Sequence, residues 1–284
     1  MNPKYSASRF STYESCLLKY KLSYIDDLSV DRTFDIQEKG LVFHSIAEHT
    51  EPGESYESVM SRAKDVIAKS DFDKEKYPVE KAIPVFYFWW QKYIEEPLKN
   101  GYSLYKEHWE NSDLDGAPLC GAVDALLINE KEKRAIIYDY KSGSSSHLDG
   151  YTGQLTLYAY MIAKRLGIKE EEIPDRIKCY LFYPLARIKE ANLDTQEKIE
   201  KFTLKNMLQY KFSIQEYEDT LEKFKKIVED TKSRDWEKVN EKDSTISYQC
   251  SFCGFCGHPK YCPNTFKSGL TFPHSAKVSK IERH

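Results

Sequence analysis

The amino-acid sequence predicts an α/β fold on three observations. Apolar residues recur every three or four positions through the first hundred residues, β-branched and aromatic runs follow, and a cysteine-dense tail closes the 284-residue chain. Over 8–24, Phe10, Tyr13, Leu17, Tyr20 and Tyr24 line one helical face, with Ser8 as the expected N-cap. Further helices are expected over about 38–49, 56–69 and 80–97. After Asn100 the pattern changes: 102–109 alternates, 119–128 is an apolar run holding one acid, and 135–141 follows the polar turn 129–134, so three strands are expected. Helical spacing returns over 151–166, 177–183 reads as a strand, and 214–233 as a charged amphipathic helix. No internal repeat or linker divides the chain. A single domain over 1–284 is therefore expected, with a helical part over 1–100, a sheet core over 101–212 and a C-terminal helix with the cysteine segment over 213–284.

Charge limits the function classes. Lysine and arginine number 42 against 45 acids, a net charge of −3, so no global basic field announces a nucleic-acid partner and any such contact must be local. No apolar stretch approaches the roughly 18 residues of a membrane span, which excludes a helical membrane protein. The polar N-terminus carries neither an apolar signal core nor an Arg-rich transit pattern, so a cytoplasmic location is expected.

Asp124 interrupts one apolar strand and Asp139 another, and Lys141 stands two residues beyond Asp139. Residues i and i+2 of a strand share a face, so Asp139 and Lys141 project into one space. Converging carboxylates bind a hard cation such as Mg²⁺ or Mn²⁺, and an ammonium can hold a water or a phosphate oxygen. Acid-x-base triplets are common by composition, and a structural salt bridge is the competing reading. The apolar context favours metal, because a charge kept in such a run needs a partner. His44 lies four residues before Glu48, on the same helical face, a spacing that by itself does not mark a ligand.

The ordered set SASRFSTYESCLLKY, GLVFHSIAE, GAVD, DYKSG and GQLTLYAYMI, followed by the cysteine-rich tail, resembles the RecB-type branch of the PD-(D/E)XK nucleases over about residues 6–262. The resemblance implies a restriction-endonuclease-like core, a mixed central sheet flanked by helices, with an N-terminal helical region and a C-terminal cysteine-rich metal-cluster segment. It implies that His44, Asp124 and Asp139 bind Mg²⁺ or Mn²⁺ and that Lys141 positions the attacking water or stabilises the transition state. Gln154 and Tyr158 match the QxxxY motif of this branch and would orient the lysine or touch DNA; core packing is the alternative for Tyr158. Glu48 and Glu107 are possible outer-shell acids. The implied activity is a metal-dependent DNA exonuclease of recombination, repair or replication, acting on single strands or strands with free ends. The chain would be phage-encoded and work in the host cytoplasm. No GxxxxGK[ST] motif is present, so a helicase or recombination protein would supply unwinding. The reading from another class is a non-catalytic DNA-binding or assembly subunit with a structural metal centre.

Four of the seven cysteines, Cys250, Cys253, Cys256 and Cys262, crowd into 13 residues, a spacing that favours metal over disulfides in a reducing compartment. CRISPR-associated exonucleases and AddB, which this chain resembles, hold a [4Fe-4S] cluster on one N-terminal cysteine and a C-terminal C-x2-C-x5-C triplet. Cys16, Cys253, Cys256 and Cys262 match that arrangement. Cys250 is then one sulfur too many. It leaves open a local Zn²⁺ site or a cluster that uses Cys250 instead. Cys120 and Cys179 are expected to be small core residues.

Overall fold

The computed structural model describes residues 4–30, 35–143, 145–245, 253–258, 260–263 and 277–281. Among these the chain forms seven strands: β1 (Leu28–Val30), β2 (Ser103–Leu114), β3 (Ala117–Asn129), β4 (Arg134–Tyr140), β5 (Ile177–Phe182), β6 (Met207–Tyr210) and β7 (Val278–Lys280). They build a two-stranded sheet, β1-β7, and a five-stranded sheet in the order β2-β3-β4-β5-β6. The chain divides into two compact units. The larger comprises Asp35–Asp113 and Leu119–Leu221; the smaller comprises Met1–Phe34, Leu114–Pro118 and Glu222–His284.

In the larger unit β3 and β4 pair antiparallel, β4 and β5 parallel, and β5 and β6 antiparallel, so the central sheet is mixed as expected. A parallel pair needs a long crossover, and the helix Thr152–Leu166 lies on the connection between β4 and β5. Strand alternation sends Tyr138, Tyr140 and Phe182 to one face. There Trp89 stacks on Phe182 at 4.8 Å and meets Tyr138 and Tyr140 edge-on at 5.1 and 5.5 Å. Phe43 and Phe86 join this cluster from the helices Asp35–Glu48 and Ile83–Trp90. Asp139 and Cys179 take the other face: Gln154 reaches Asp139 and the Cys179 thiol donates to the Leu155 carbonyl, both from the Thr152–Leu166 helix. That helix fits closely over β3 because Gly121 has no side chain. A Cβ there would lie 2.8 Å from Tyr158 Cε1 and 3.0 Å from Met161 Cε.

Helix 56–69 spans the expected residues. Helix 80–97 is instead segmented: a 3-10 turn over Val79–Ala82, the α-helix Ile83–Trp90, a widened π turn over Gln91–Glu95 and Glu96–Lys99. The helix Gln196–Lys205 and the four-residue β6 add two short elements to the expected order.

In the smaller unit the single helix expected over 8–24 is broken. It runs over Ala7–Ser15, is interrupted where Cys16 turns extended (φ −167°, ψ 109°), restarts over Leu17–Tyr20 and widens into a π turn over Lys21–Ile25. Ser6, not Ser8, is the N-cap, accepting from the Arg9 amide at 3.3 Å, while the Cys16 sulfur caps the second piece by accepting from the Lys19 amide. Buried Arg9 donates to Tyr20 Oη at 2.8 Å, with Tyr5, Tyr20 and Tyr24 around its guanidinium. Phe10 stacks on Phe224 at 4.2 Å, and Tyr13 Oη donates to Asp230. β1 and β7 pair antiparallel from Leu28↔Lys280 to Val30↔Val278, which joins two segments some 250 residues apart in sequence.

Candidate active site

The β3–β4 ladder ends at Ala125↔Tyr138, so the next residues in each strand are Asp124 and Asp139. Beyond that pair the Tyr140 amide donates to Asp124 Oδ2 rather than to a strand carbonyl. Backbone thus fixes the Asp124 carboxylate at the point where regular pairing stops. Its other oxygen lies 3.5 Å from His44 Nδ1, and the same nitrogen lies 3.3 Å from Glu107 Oε1. His44 stands on the helix Asp35–Glu48, edge-on to the Tyr140 ring at 5.6 Å.

Glu107 arrives by a break in β2. Its φ of 44° is left-handed, which a non-glycine residue rarely adopts, and it interrupts the expected alternation over 102–109. Lys106 and Glu107 consequently reach the same neighbourhood. Lys106 Nζ donates to the Thr50 carbonyl and to Glu51, while Glu107 meets His44. The ligand atoms of His44, Glu107 and Asp124 all lie within 4.8 Å of one another. Glu48, expected as a possible outer-shell acid, is exposed and stands outside this group.

Asp139, 2% exposed, faces a second set of side chains. Lys141 Nζ forms an ion pair with its Oδ2, and Gln154 Nε2 donates to Oδ1 at 2.8 Å. Gln154 also accepts from Lys141 Nζ at 3.0 Å and donates to Tyr158 Oη at 2.8 Å; Tyr158 in turn donates to the Ala122 carbonyl at 2.6 Å. The i, i+4 spacing of Gln154 and Tyr158 is what lets one helix face span lysine, carboxylate and strand backbone. Tyr158 is therefore both packed and part of the polar network. One contact had no sequence signal: Lys141 Nζ sits 4.3 Å from the centre of the Tyr151 ring, a cation held over an aromatic face.

The electrostatics fit a cation. Burial first, and then the neighbouring Asp139 charge, push the Asp124 carboxyl up to about 8. For His44, burial by itself lowers proton affinity, but the Glu107 hydrogen bond and the charges of Asp124, Glu107 and Asp139 outweigh it and leave the imidazole above its usual value. Two carboxylates and an imidazole converging on one point are a donor set suited to Mg²⁺ or Mn²⁺, and a bound cation would favour the ionised carboxylates that burial disfavours. Asp139 stands next to the group, with both oxygens engaged by Lys141 and Gln154.

In the smaller unit Cys253, Cys256 and Cys262 are buried in one cluster with Leu18, Leu22 and Phe255, and half-buried Cys16 packs against it. The Cys256 amide donates to the Cys253 carbonyl, and the Cys262 amide to the His258 carbonyl, so short turns keep the three cysteines of the C-x2-C-x5-C triplet in that one cluster. The Cys253 thiol is lowered to about 6, chiefly by its hydrogen bond with Cys256. Cys250 lies outside the described residues. Cys179 is a buried core thiol, raised by burial, and Cys120 is half-buried.

No curated protein sequence matches the chain. A protein-family model described as the PD-(D/E)XK nuclease superfamily matches residues 4–263, which takes in every residue of the site just described. With a mixed five-stranded sheet flanked by helices and paired acids where the pairing of β3 with β4 ends, the chain belongs to the PD-(D/E)XK nuclease superfamily.

Proposed function

We propose that this metal-dependent nuclease is a DNA exonuclease of the RecB-type branch, with His44, Glu107, Asp124 and Asp139 as its acidic and imidazole metal site. The observation that carries the reading is the junction of two networks at the Asp124–Asp139 pair: an acceptor set suited to a cation and a donor set headed by Lys141. When bound, Mg²⁺ or Mn²⁺ supplies charge neutralisation and activation of water toward the phosphodiester. The chain's own residues do the positioning. Asp124 is held by the Tyr140 amide, and Glu107 and His44 close round it. Lys141, steered by Gln154 and Tyr151, places a positive charge where negative charge develops on the phosphate. Asp139 keeps that ammonium in place and contributes the second acid.

Cys16, Cys253, Cys256 and Cys262 are proposed to hold a [4Fe-4S] cluster, which their common apolar cluster supports. No helix among the described residues is long and apolar enough to cross a membrane. Action in a host cytoplasm on strands with free ends, in recombination, repair or replication beside a helicase or recombination protein, is part of the same reading.

The test is incubation of end-labelled single-stranded and duplex DNA, and of closed circular DNA, with Mg²⁺ or Mn²⁺, alongside Asp139→Ala. Stepwise loss of linear substrate with the circle spared, abolished in the variant, is the expected result. Cutting of the circle would replace exonuclease by endonuclease, and full activity in the variant would remove the site assignment.

A further inference from the structure

A cavity of about 210 Å³ opens in the larger unit between the helix Asp35–Glu48, the 76–79 segment and the loop that follows β5. Its lining includes Lys39, Lys76, Arg187 and Lys189, with Glu190 as the one acid and Tyr77 between two of the cations. Lys39 is 4% exposed. Its ammonium lies 4.5 Å from the centre of the Tyr77 ring, and that of Lys76 lies 5.1 Å away. Among the described residues no carboxylate comes within 4.0 Å of any of the four cations. The acid beside Lys39, Glu38, accepts from the Asp71 amide instead.

Withdrawing an ammonium from water is costly, and an aromatic face returns only part of that cost. Lys39 is therefore incompletely compensated by Tyr77, and Lys76, Arg187 and Lys189 add like charge around it. An anion in the cavity offsets both. The space is smaller than the roughly 300–1,000 Å³ of small-molecule pockets, so it suits a compact charged group rather than a whole nucleotide.

Its position ties it to the catalytic rim. Gly40, next to Lys39, passes so close to Ser142 that a Cβ would lie 2.9 Å from the serine Oγ, and Ser142 directly follows Lys141. Residues 185–190 follow β5, the parallel neighbour of the strand that carries Asp139. The 185–190 wall of the cavity and Lys141 with Ser142 thus leave the carboxyl ends of two adjacent parallel strands, the rim where open α/β sheets bind ligands.

We propose that this cavity is a second phosphate site, in which Lys39, with Lys76, Arg187 and Lys189, takes a phosphate of the nucleic-acid strand other than the one being cut. The identity of the anion as a strand phosphate rests on the nuclease reading; the cavity's preference for an anion does not. The test measures oligonucleotide binding by fluorescence anisotropy in EDTA over a salt series, with the full chain, Lys39→Met, Arg187→Asn and the control Lys198→Gln. Arg187 is exposed at φ 52°, a conformation asparagine tolerates, so that variant carries little folding risk even if Lys39→Met does. Lys198 is a surface residue paired with Asp194.

Both cavity variants are expected to weaken single-strand binding about fivefold at low salt and to lower the log–log salt slope by about 0.7, the loss of one phosphate contact, while the control changes neither. Inorganic phosphate should displace the strand from the unaltered chain better than chloride at equal ionic strength, and lose that advantage in Lys39→Met. Affinity and slope unmoved in both variants would overturn the proposal. So would phosphate raising the melting temperature while strand binding ignores both substitutions, which would make the cavity a site for a free anion. Lys39-dependent strand binding in a chain that never cleaves with Mg²⁺ or Mn²⁺ would retire the nuclease reading and uphold the cavity. Cleavage with cavity-independent binding would retire the cavity alone.

Discussion

Gln154→Leu separates the two halves of the site. Gln154 makes three hydrogen bonds: to Asp139 at 2.8 Å, from Lys141 at 3.0 Å and to Tyr158 at 2.8 Å. Two of these involve charged partners, and each such bond contributes about 1.5–3 kcal/mol. Leucine removes all three and supplies no donor. The direct Lys141–Asp139 ion pair survives, and Tyr158 keeps its bond to the Ala122 carbonyl, so the fold should lose about 3–6 kcal/mol, the cost of the two charged bonds. Lys141, however, loses the tether that fixes its direction. A drop of about 10–100-fold in kcat is expected, equivalent to about 1.4–2.7 kcal/mol of transition-state stabilisation. Metal affinity should fall far less than in Asp124→Ala, since of the four residues of the metal site Gln154 touches only Asp139 and none of His44, Glu107 and Asp124. Single-turnover cleavage at saturating Mn²⁺ reads the first quantity and calorimetric titration of Mn²⁺ the second. Gln154→Glu should not rescue, because a carboxylate could accept from Lys141 but would place a second anion against Asp139. Unchanged kcat in Gln154→Leu, or a loss of metal affinity as large as that of Asp124→Ala, would refute the division of labour.

Asp124→Ala should abolish both cleavage and metal binding, whereas Lys141→Ala should keep most metal binding and lose most turnover; equal metal loss in the two by calorimetry would mean the lysine's role is misassigned. Gly121→Ala should cost about 1–3 kcal/mol by overpacking, read as a lower denaturant midpoint, because its Cβ would meet Tyr158 at 2.8 Å and push the ring off the Ala122 carbonyl. Arg62, through its hydrogen bonds, holds the Glu54 carboxyl down at about 2, below the usual 4.5. A depressed acid contributes stability that is present above the ordinary value and lost as pH falls through the lowered one. The thermal advantage over Glu54→Gln should therefore be full at pH 7 and disappear between about pH 4.5 and 2. Anaerobically purified protein should be brown, with broad absorption near ~400 nm, and Cys16→Ser should bleach it. A colourless zinc protein sensitive to Cys250→Ser and indifferent to Cys16→Ser would establish the local alternative.

What could be read in advance follows from which features are periodic. Asp139 and Lys141 were legible because a strand repeats every two residues, and Gln154 with Tyr158 because a helix brings i and i+4 together. Glu107 was visible only as an acid among acids. Its entry depends on a left-handed residue inside β2, and nothing in the alternation over 102–109 marks where a strand will break its own period. Periodicity also misled at Cys16. Phe10, Tyr13, Leu17 and Tyr20 keep helical spacing straight across a residue that is extended, because the helix stops and restarts almost in phase. The β1–β7 pair lay out of reach for a third reason: three-residue strands some 250 positions apart carry no local signal, and their register is set by tertiary contact.

Asp124 shows why such a site is assembled at the end of a ladder rather than within it. Inside the sheet, a carboxylate buried this deeply would have to face apolar neighbours on both sides, and the strand amides would already be paired with strand carbonyls. At the last paired step the Tyr140 amide has no strand acceptor, so Asp124 can take it and be fixed by backbone at no loss to the sheet. The hydrogen bond favours the ionised form, while burial and Asp139 disfavour it more strongly, which is why the carboxyl stands near 8 instead of its usual value. Between the usual carboxylate value and 8 the folded state holds a proton that the unfolded chain has lost, so without metal this residue makes the fold less stable as pH rises. A divalent cation reverses the sign of that contribution by favouring the charged form. The same burial that weakens the metal-free fold therefore strengthens the demand for metal, and the position is explained by function rather than by stability.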